Sequence, residues 1–222
     1  MKFKVNEVFY SIQGEGSRIG RPCLFIRLTG CPLRCSYCDT EYAFFEGVLR
    51  EMGDLLAEVG TRLGPPRSEP GAPFVELTGG EPLAHPHAPQ LLQALLDLGY
   101  EVALETAGSH DLAAVPQKVI KIVDRKTPGS GEEGRWLESN LAHMVPGQDE
   151  LKFVLCHEAD YHWAKAWCAE RAVWDRLEVL FSPVWGSLDP AWLAEQVVRD
   201  QLPVRVQVQL HKVIWGPTRK GV

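Results

Sequence analysis

The chain has 222 residues, with 23 basic and 29 acidic side chains and a formal net charge of −6; that length can bury a sizeable core, and 45% apolar with 23% charged residues is an ordinary globular composition. The acidic balance argues against a broad nucleic-acid footprint, which carries a basic excess. No apolar run approaches the roughly 18–20 residues of a membrane span, and the opening MKFKVNEVFYSIQGEG has neither the apolar stretch nor the cleavage site of a secretion signal, so the expectation is a cytoplasmic protein with no nucleic-acid and no membrane partner.

In chain order, β-branched and aromatic runs predict strands at 4–9 and 23–28, and a helix-like segment follows at 48–63. A strand at 74–78 and a helix at 89–98 come next, the helix closed by Gly99. Strands at 101–105, 119–123 and 150–155, a helix at 159–171 and a strand at 177–181 continue the alternation. Asp189-Pro190, an acidic N-cap before a first-turn proline, opens a helix at 190–199, and a strand at 204–208 ends the series. The stretches 64–73 and 127–135 read as surface loops, the second Gly-rich and expected to be mobile. Neither is long enough to link domains, so one domain over 1–222 is expected. Strands alternating with helices imply parallel pairing through right-handed crossovers, and seven strands after the first suit an α/β fold built as a partial (β/α) barrel with mostly parallel strands. Chemistry in such folds gathers beyond the carboxyl ends of the strands, here TGCPLRCSYCDT, TGGEP, ETAG, DRKTP and FSPVWG.

Three of the six cysteines, Cys31, Cys35 and Cys38, fall within eight residues as C-x3-C-x2-C. A reducing cytosol makes clustered cysteines metal ligands before disulfides. Cys23, Cys156 and Cys168 stand in apolar or helical contexts and read as buried small hydrophobes. Structural zinc wants four closed ligands. No second C-x-x-C is present, and Pro86 between His85 and His87 favours a turn or extended segment there. A four-iron cluster normally takes four thiolates, so three leave one iron open to chelate a small molecule through an amine and a carboxylate. Structural zinc and a redox thiol cluster stay open as alternatives.

The cysteine spacing, with Tyr37 before the last cysteine, resembles the radical S-adenosylmethionine superfamily, and Thr78-Gly79-Gly80-Glu81-Pro82 is similar to its GGEP element. The flanks narrow the resemblance. SIQGEG at 11–16, Gly20-Arg21-Pro22, Asp39-Thr40, FSPVWG at 181–186 and Val208-Gln209-Leu210-His211-Lys212 resemble, almost end to end, the 7-carboxy-7-deazaguanine synthase family of queuosine and 7-deazapurine biosynthesis. That resemblance implies a partial barrel of the radical SAM type with an N-terminal substrate-binding extension and a C-terminal tail. It implies a lyase that converts 6-carboxy-5,6,7,8-tetrahydropterin to 7-carboxy-7-deazaguanine with loss of ammonia, the ring contraction being initiated by a 5′-deoxyadenosyl radical. The cofactors implied are a [4Fe-4S] cluster, S-adenosyl-L-methionine and Mg2+. The partners implied are a small-molecule pterin, a second copy of the chain in a homodimer, and an external electron donor such as flavodoxin or ferredoxin.

The same resemblance distributes roles among residues. Cys31, Cys35 and Cys38 would hold the cluster. Tyr37, Cys38, Asp39, Gly79, Gly80, Glu81, Glu105, Asp124, Arg125, Lys126, Ser182, Pro183, Val184 and Trp185 would meet S-adenosylmethionine, with Gly80 and Glu81 at its methionyl amine. Asp124-Arg125-Lys126 stands where related enzymes carry Ser-Pro-Lys, so position supports those three better than identity does. Ile12, Gln13, Gly14, Glu15, Arg27, Thr78, His211 and Pro217 would bind the substrate. Gln13 has the donor and acceptor that an aminopyrimidinone edge requires, and Arg27 offers a planar fork to a carboxylate. Thr40 would be the magnesium ligand, since that ion accepts oxygen and keeps several waters. Each role has a plainer counterpart: a glycine turn at 12–14, a strand-end charge at Arg27, a turn residue at Thr40, a strand-end cap at Glu105, a packing histidine at 211. His157, His162 and the Trp163, Trp167 and Trp174 set read as helix packing or a partner face. A glycyl-radical activase and a zinc or electron-transfer module are the competing functions; SIQGEG is not explained by the first.

Overall fold

The computed structural model describes residues 1–65 and 72–222, so most of the loop expected at 64–73 lies outside the described residues. β1 (Lys2–Ile12) pairs antiparallel with β2 (Pro22–Leu28) and, through its first residues, with β3 (Val48–Glu51). Then follow α1 (Met52–Leu63), β4 (Phe74–Gly79), α2 (Ala88–Asp97), β5 (Glu101–Thr106), β6 (Ile120–Asp124), β7 (Glu150–Leu155), α3 (Glu158–Arg171), β8 (Glu178–Pro183), α4 (Pro190–Arg199), β9 (Arg205–Val206) and α5 (Leu210–Trp215). One sheet runs β3-β1-β2-β4-β5-β6-β7-β8-β9. Every pairing from β2 to β9 is parallel, which gives the seven parallel strands expected, and the terminal strands do not pair, so the barrel stays open.

Strand periodicity sorts the two faces of this sheet. On one face Leu24, Ile26, Val75, Leu77, Val102, Leu104, Leu151 and Phe153 pack against the apolar stripes of α1 to α4, among them Leu55, Val59, Leu91, Leu95, Ala164 and Leu193. Each buried Val, Leu, Ile or Phe among them contributes roughly 1.5–3 kcal/mol. The other face begins apolar, with Cys23, Phe25, Phe74, Ala103, Ile120 and Ile122 clustered. It then turns polar toward the carboxyl ends, through Glu76, Thr78, Glu105, Asp124 and Lys152.

Several expectations need correction. The segment 48–63 is not one helix: Val48–Glu51 extends to pair with Lys2–Val5, and the helix starts at Met52. The last strand is only Arg205–Val206, because Gln207 turns inward to bond Phe181 O through its backbone and Gly16 N through its side chain. The Gly-rich loop 127–135 forms two one-turn 3-10 helices whose Thr127 and Ser130 are fully buried. Of the two readings of the α3 tryptophans, helix packing is the one that holds: Trp163 and Trp167 face inward onto Phe153. Asp189 does cap α4, accepting from Ala191 N at 3.0 Å.

Candidate active site

A cavity of about 990 Å3 opens beyond the carboxyl ends of β4 to β8, and it receives the loop after β2, segment 12–15, and the stretch after β9. At one end stand Cys31, Cys35 and Cys38, all half-buried free thiols. Burial raises each of them, Cys35 to about 11, while the Lys126 ammonium works in the opposite direction. Gly80 lies against this loop so closely that a Cβ there would stand 2.8 Å from Cys31 Cβ and overlap the Gly30 carbonyl. The far side of the loop is pinned to the buried 127–132 turn: Ser36 N donates to Ser130 O (3.0 Å), Ser36 Oγ to Gly129 O (2.7 Å) and Arg34 N to Glu132 (2.5 Å). The Tyr37 hydroxyl is buried here with no partner among the described residues. Lys126 sits 5.3 Å from the Tyr37 ring centre and 2.7 Å from Asp124.

The other end of the cavity is charged and closely bonded. Segment 13–21 crosses the polar face of the sheet, tied by Ser17 to Glu150, by Arg18 (2.9 Å) and Arg21 (2.7 Å) to Glu101, and by Leu210 N to Gly14 O (3.0 Å). This places Gln13 on buried Glu76, and Glu15 between Lys152 (2.7 Å) and Gln209 (2.9 Å). Lys152 also pairs with Glu105. Burial opposes the charge on both Lys152 and Glu15, yet Glu105 and then Glu15 hold the lysine well above its ordinary value, and Lys152 holds Glu15 below its own. Among the described residues Glu76 forms no ion pair, and burial, with Glu105 beside it, raises it well above the usual carboxylate range against the pull of Lys152. His211 packs directly over Gly14, and burial lowers its basicity.

At the rim, Arg27 donates through Nε to Glu7 (2.8 Å) and lies between the rings of Phe9 (5.5 Å) and Tyr42 (5.8 Å). Its two terminal nitrogens make no hydrogen bond among the described residues. Asp39 bonds Lys212 (2.5 Å) and accepts from Thr40 (2.9 Å). Burial pushes Asp39 up, but Lys212 outweighs it and holds it at about 2.

Most residues singled out in the sequence line this cavity: Ile12, Gln13, Gly14, Glu15, Arg27, the three cysteines, Tyr37, Asp39, Thr40, Thr78, Gly79, Gly80, Glu105, Asp124, Lys126, Val184, Trp185, His211 and Pro217. Four do not. Glu81 is wholly buried, and its carboxylate is taken by Leu83 N (3.0 Å), Thr106 Oγ1 (2.8 Å) and Ala107 N (2.8 Å), so it braces the turn after β4. Arg125 points away into a cage of Trp136, Trp163 and Trp167, all within 5.4 Å, and burial lowers it to about 10. Ser182 and Pro183 are buried at the end of β8. Cys156, expected as a packed hydrophobe, lines the cavity instead, and burial and Asp160 raise it to about 12. His85 bonds Thr29 O at 2.8 Å and takes no part. Sequence reasoning missed Glu76 and Lys152. The signal the sequence carries is the alternation of polar with apolar residues, Glu76 and Thr78 in VELTG and Glu150 and Lys152 in ELKFV, which by itself reads as a solvent-facing strand.

Residues 25–125 match the Radical SAM superfamily. A 7-carboxy-7-deazaguanine synthase of Chlorobaculum tepidum is 43% identical over 98% of this chain and 96% of its own length. The chain belongs to the 7-carboxy-7-deazaguanine synthase family. A second member of that family, from Koribacter versatilis, is 40% identical over 99% of this chain and 100% of its own. The crystal structure of QueE from Escherichia coli matches with a TM-score of 0.74 and 25% identity, covering 95% of each chain. SuiB from Streptococcus suis, at 12% identity and a TM-score of 0.54 over 81% of this chain and 48% of that one, shares the fold alone.

Proposed function

We propose that the chain is a radical SAM lyase that converts 6-carboxy-5,6,7,8-tetrahydropterin to 7-carboxy-7-deazaguanine with loss of ammonia. The observation that carries this reading is one cavity with a trio of soft sulfur donors at one end and a hydrogen-bonding, carboxylate-rich wall at the other. The donor set fits the cluster. Three thiols free of disulfides stand beside a glycine backbone that leaves no room for a side chain, and a cubane takes each cysteine on a different iron. Among the described residues, no three His, Cys, Asp or Glu groups converge on a single ion, which weighs against the structural-zinc reading.

When bound, the cluster and S-adenosylmethionine supply the one-electron chemistry that starts the ring contraction. The chain's own residues hold and exclude. Cys31, Cys35 and Cys38 would grip the cluster, Gly79 and Gly80 would offer backbone groups to the amino-acid end of the cosubstrate, and Val184 with Trp185 would cover its nucleoside. Gln13 and Glu15 would read the heterocycle, Arg27 would take the substrate carboxylate on its free terminal nitrogens, and His211 would close over Gly14. Mg2+ would sit at the Thr40 hydroxyl, which now donates to Asp39. A second copy of the chain and an external electron donor such as flavodoxin or ferredoxin complete the reading. Among the described residues no helix is long and apolar enough to cross a membrane, which suits a partner met in solution.

The deciding experiment is anaerobic reconstitution with iron and sulfide, followed by turnover of the tetrahydropterin with S-adenosylmethionine and a reductant. The deazapurine acid should appear by mass, dependent on both cofactors. Cluster assembly and cosubstrate cleavage without that product would overturn the substrate assignment; stoichiometric zinc with no iron would overturn the enzyme reading altogether.

A further inference from the structure

Lys152 carries no role in the functional reading above, yet it is a deeply buried cation in the cavity wall. Its side chain is 3% exposed and still lines the cavity. An ammonium has three N–H donors. Among the described residues two are used, on Glu15 and on Glu105. Asp124, its register partner on β6, accepts from Lys126 and not from Lys152. Leaving a buried N–H unmatched is costly, so such a donor marks a place where a partner is meant to arrive.

The groups around it say which partner. Glu15 and Glu105 flank the ammonium as acceptors, and Gln209 and Thr78 fix their outer oxygens at 2.9 Å and 3.4 Å. The wall therefore presents carboxylate acceptors beside a single charged donor. An aminopyrimidinone ring presents the complement along one edge: an exocyclic amine and a ring N–H that donate, next to a carbonyl that accepts. We propose that Lys152 is a substrate-reading residue whose third hydrogen goes to the ring carbonyl, while the neighbouring carboxylates take the ring's N–H groups. This rests on the functional reading above and adds a specificity determinant to it. The two glutamates that hold the lysine also fix where its donor points, so the same ion pairs that offset the cost of its burial make it selective.

The test compares two unreactive ligands on the reconstituted enzyme under anaerobic conditions with S-adenosylmethionine bound. Pterin-6-carboxylic acid keeps the carbonyl; its 4-thioxo analogue keeps the ring N–H and the exocyclic amine and replaces only the carbonyl oxygen, by a weakly accepting sulfur. Both are followed by their own absorbance. The wild type should prefer the carbonyl form by at least about tenfold, the scale of one hydrogen bond to a charged group. K152M should erase that preference while leaving iron content and S-adenosylmethionine affinity unchanged, which a merely structural loss would not do. Because K152M leaves two carboxylates facing each other, the charge-balanced K152M/E105Q variant is the second arm and should erase the preference too. A preference that persists in both variants, or a wild type that makes the deazapurine yet does not distinguish the ligands, overturns the Lys152 assignment alone. A wild type that makes no deazapurine and binds neither ligand overturns the functional reading together with it.

Discussion

At the scale of single residues, tight contacts set what the cavity admits. A Cβ on Gly14 would collide with the His211 ring, which is the movable end of a side chain and can give way. G14A should therefore keep its melting temperature within about 2 °C, yet weaken tetrahydropterin binding about tenfold or more, because a displaced wall costs far more in a shaped site than in a core. Steady-state KM beside a thermal scan reads both numbers; a normal KM would mean that His211 does not bound the substrate. Glu81 behaves in the opposite way. E81A strips acceptors from Leu83 N, Ala107 N and Thr106 at once, and should cost about 2–4 kcal/mol in a denaturant titration. Retained stability would show that water replaces the carboxylate. The motif that made Glu81 conspicuous in the sequence could not tell these roles apart, since an acid after two glycines serves a ligand or a turn equally well. Lys152 and Glu76 were hidden for a related reason. Alternating charge in a strand normally marks a wet face, and only the sheet's curvature makes this one the wall of a cavity.

Among elements, the decisive one is segment 13–21, which crosses the open barrel and is held at Glu101 by Arg18 and Arg21. Burial pushes Glu101 up, but the two guanidinium groups outweigh it and lower it below its ordinary value of 4.5. The sign follows from linkage. A carboxylate depressed in the folded state contributes stability above its unfolded value, and that contribution fades as pH falls below 4.5 and through the folded value. Hydrogen-exchange protection of residues 14–20 should drop across that window in the wild type. E101Q should already be poorly protected at pH 7 and lack the acid step. An acid step of equal size in E101Q would place the clamp elsewhere, for instance on Glu150. The elements that the sequence concealed are those with little local signal. β3 is four residues with no turn before α1, and only pairing with Lys2–Val5 makes it extended. α5 is six residues containing Val213 and Ile214, too short for a helical period and weak in intrinsic preference. The long periodic elements, from α2 to α4, were legible because each buries one stripe on the sheet.

For the whole molecule, the open barrel separates what folds the chain from what the cavity holds. The extensive apolar layer lies between the sheet and α1 to α4, on the face away from the cavity. The cysteine loop is anchored without any metal, through Ser36 to Gly129 and Ser130 and through Arg34 to Glu132, and at its base Gly30 N donates to Ala43 O at 2.8 Å. Where folding free energy resides in the ligand set, as in small zinc modules, removing the thiolates unfolds the domain. Here the thiolates are appended to a scaffold that already buries its own core. The triple variant C31A/C35A/C38A should therefore bind no iron and cleave no S-adenosylmethionine, yet keep the far-ultraviolet circular dichroism of iron-free wild type. Its melting temperature should lie within about 4 °C of that reference, the shift expected for ~1 kcal/mol in a domain of this size. Loss of secondary structure in the variant would mean that the loop carries folding energy that its backbone hydrogen bonds do not supply. Iron retained at four per chain would move the ligands elsewhere, with Cys156, the fourth thiol lining the cavity, as the first residue to mutate.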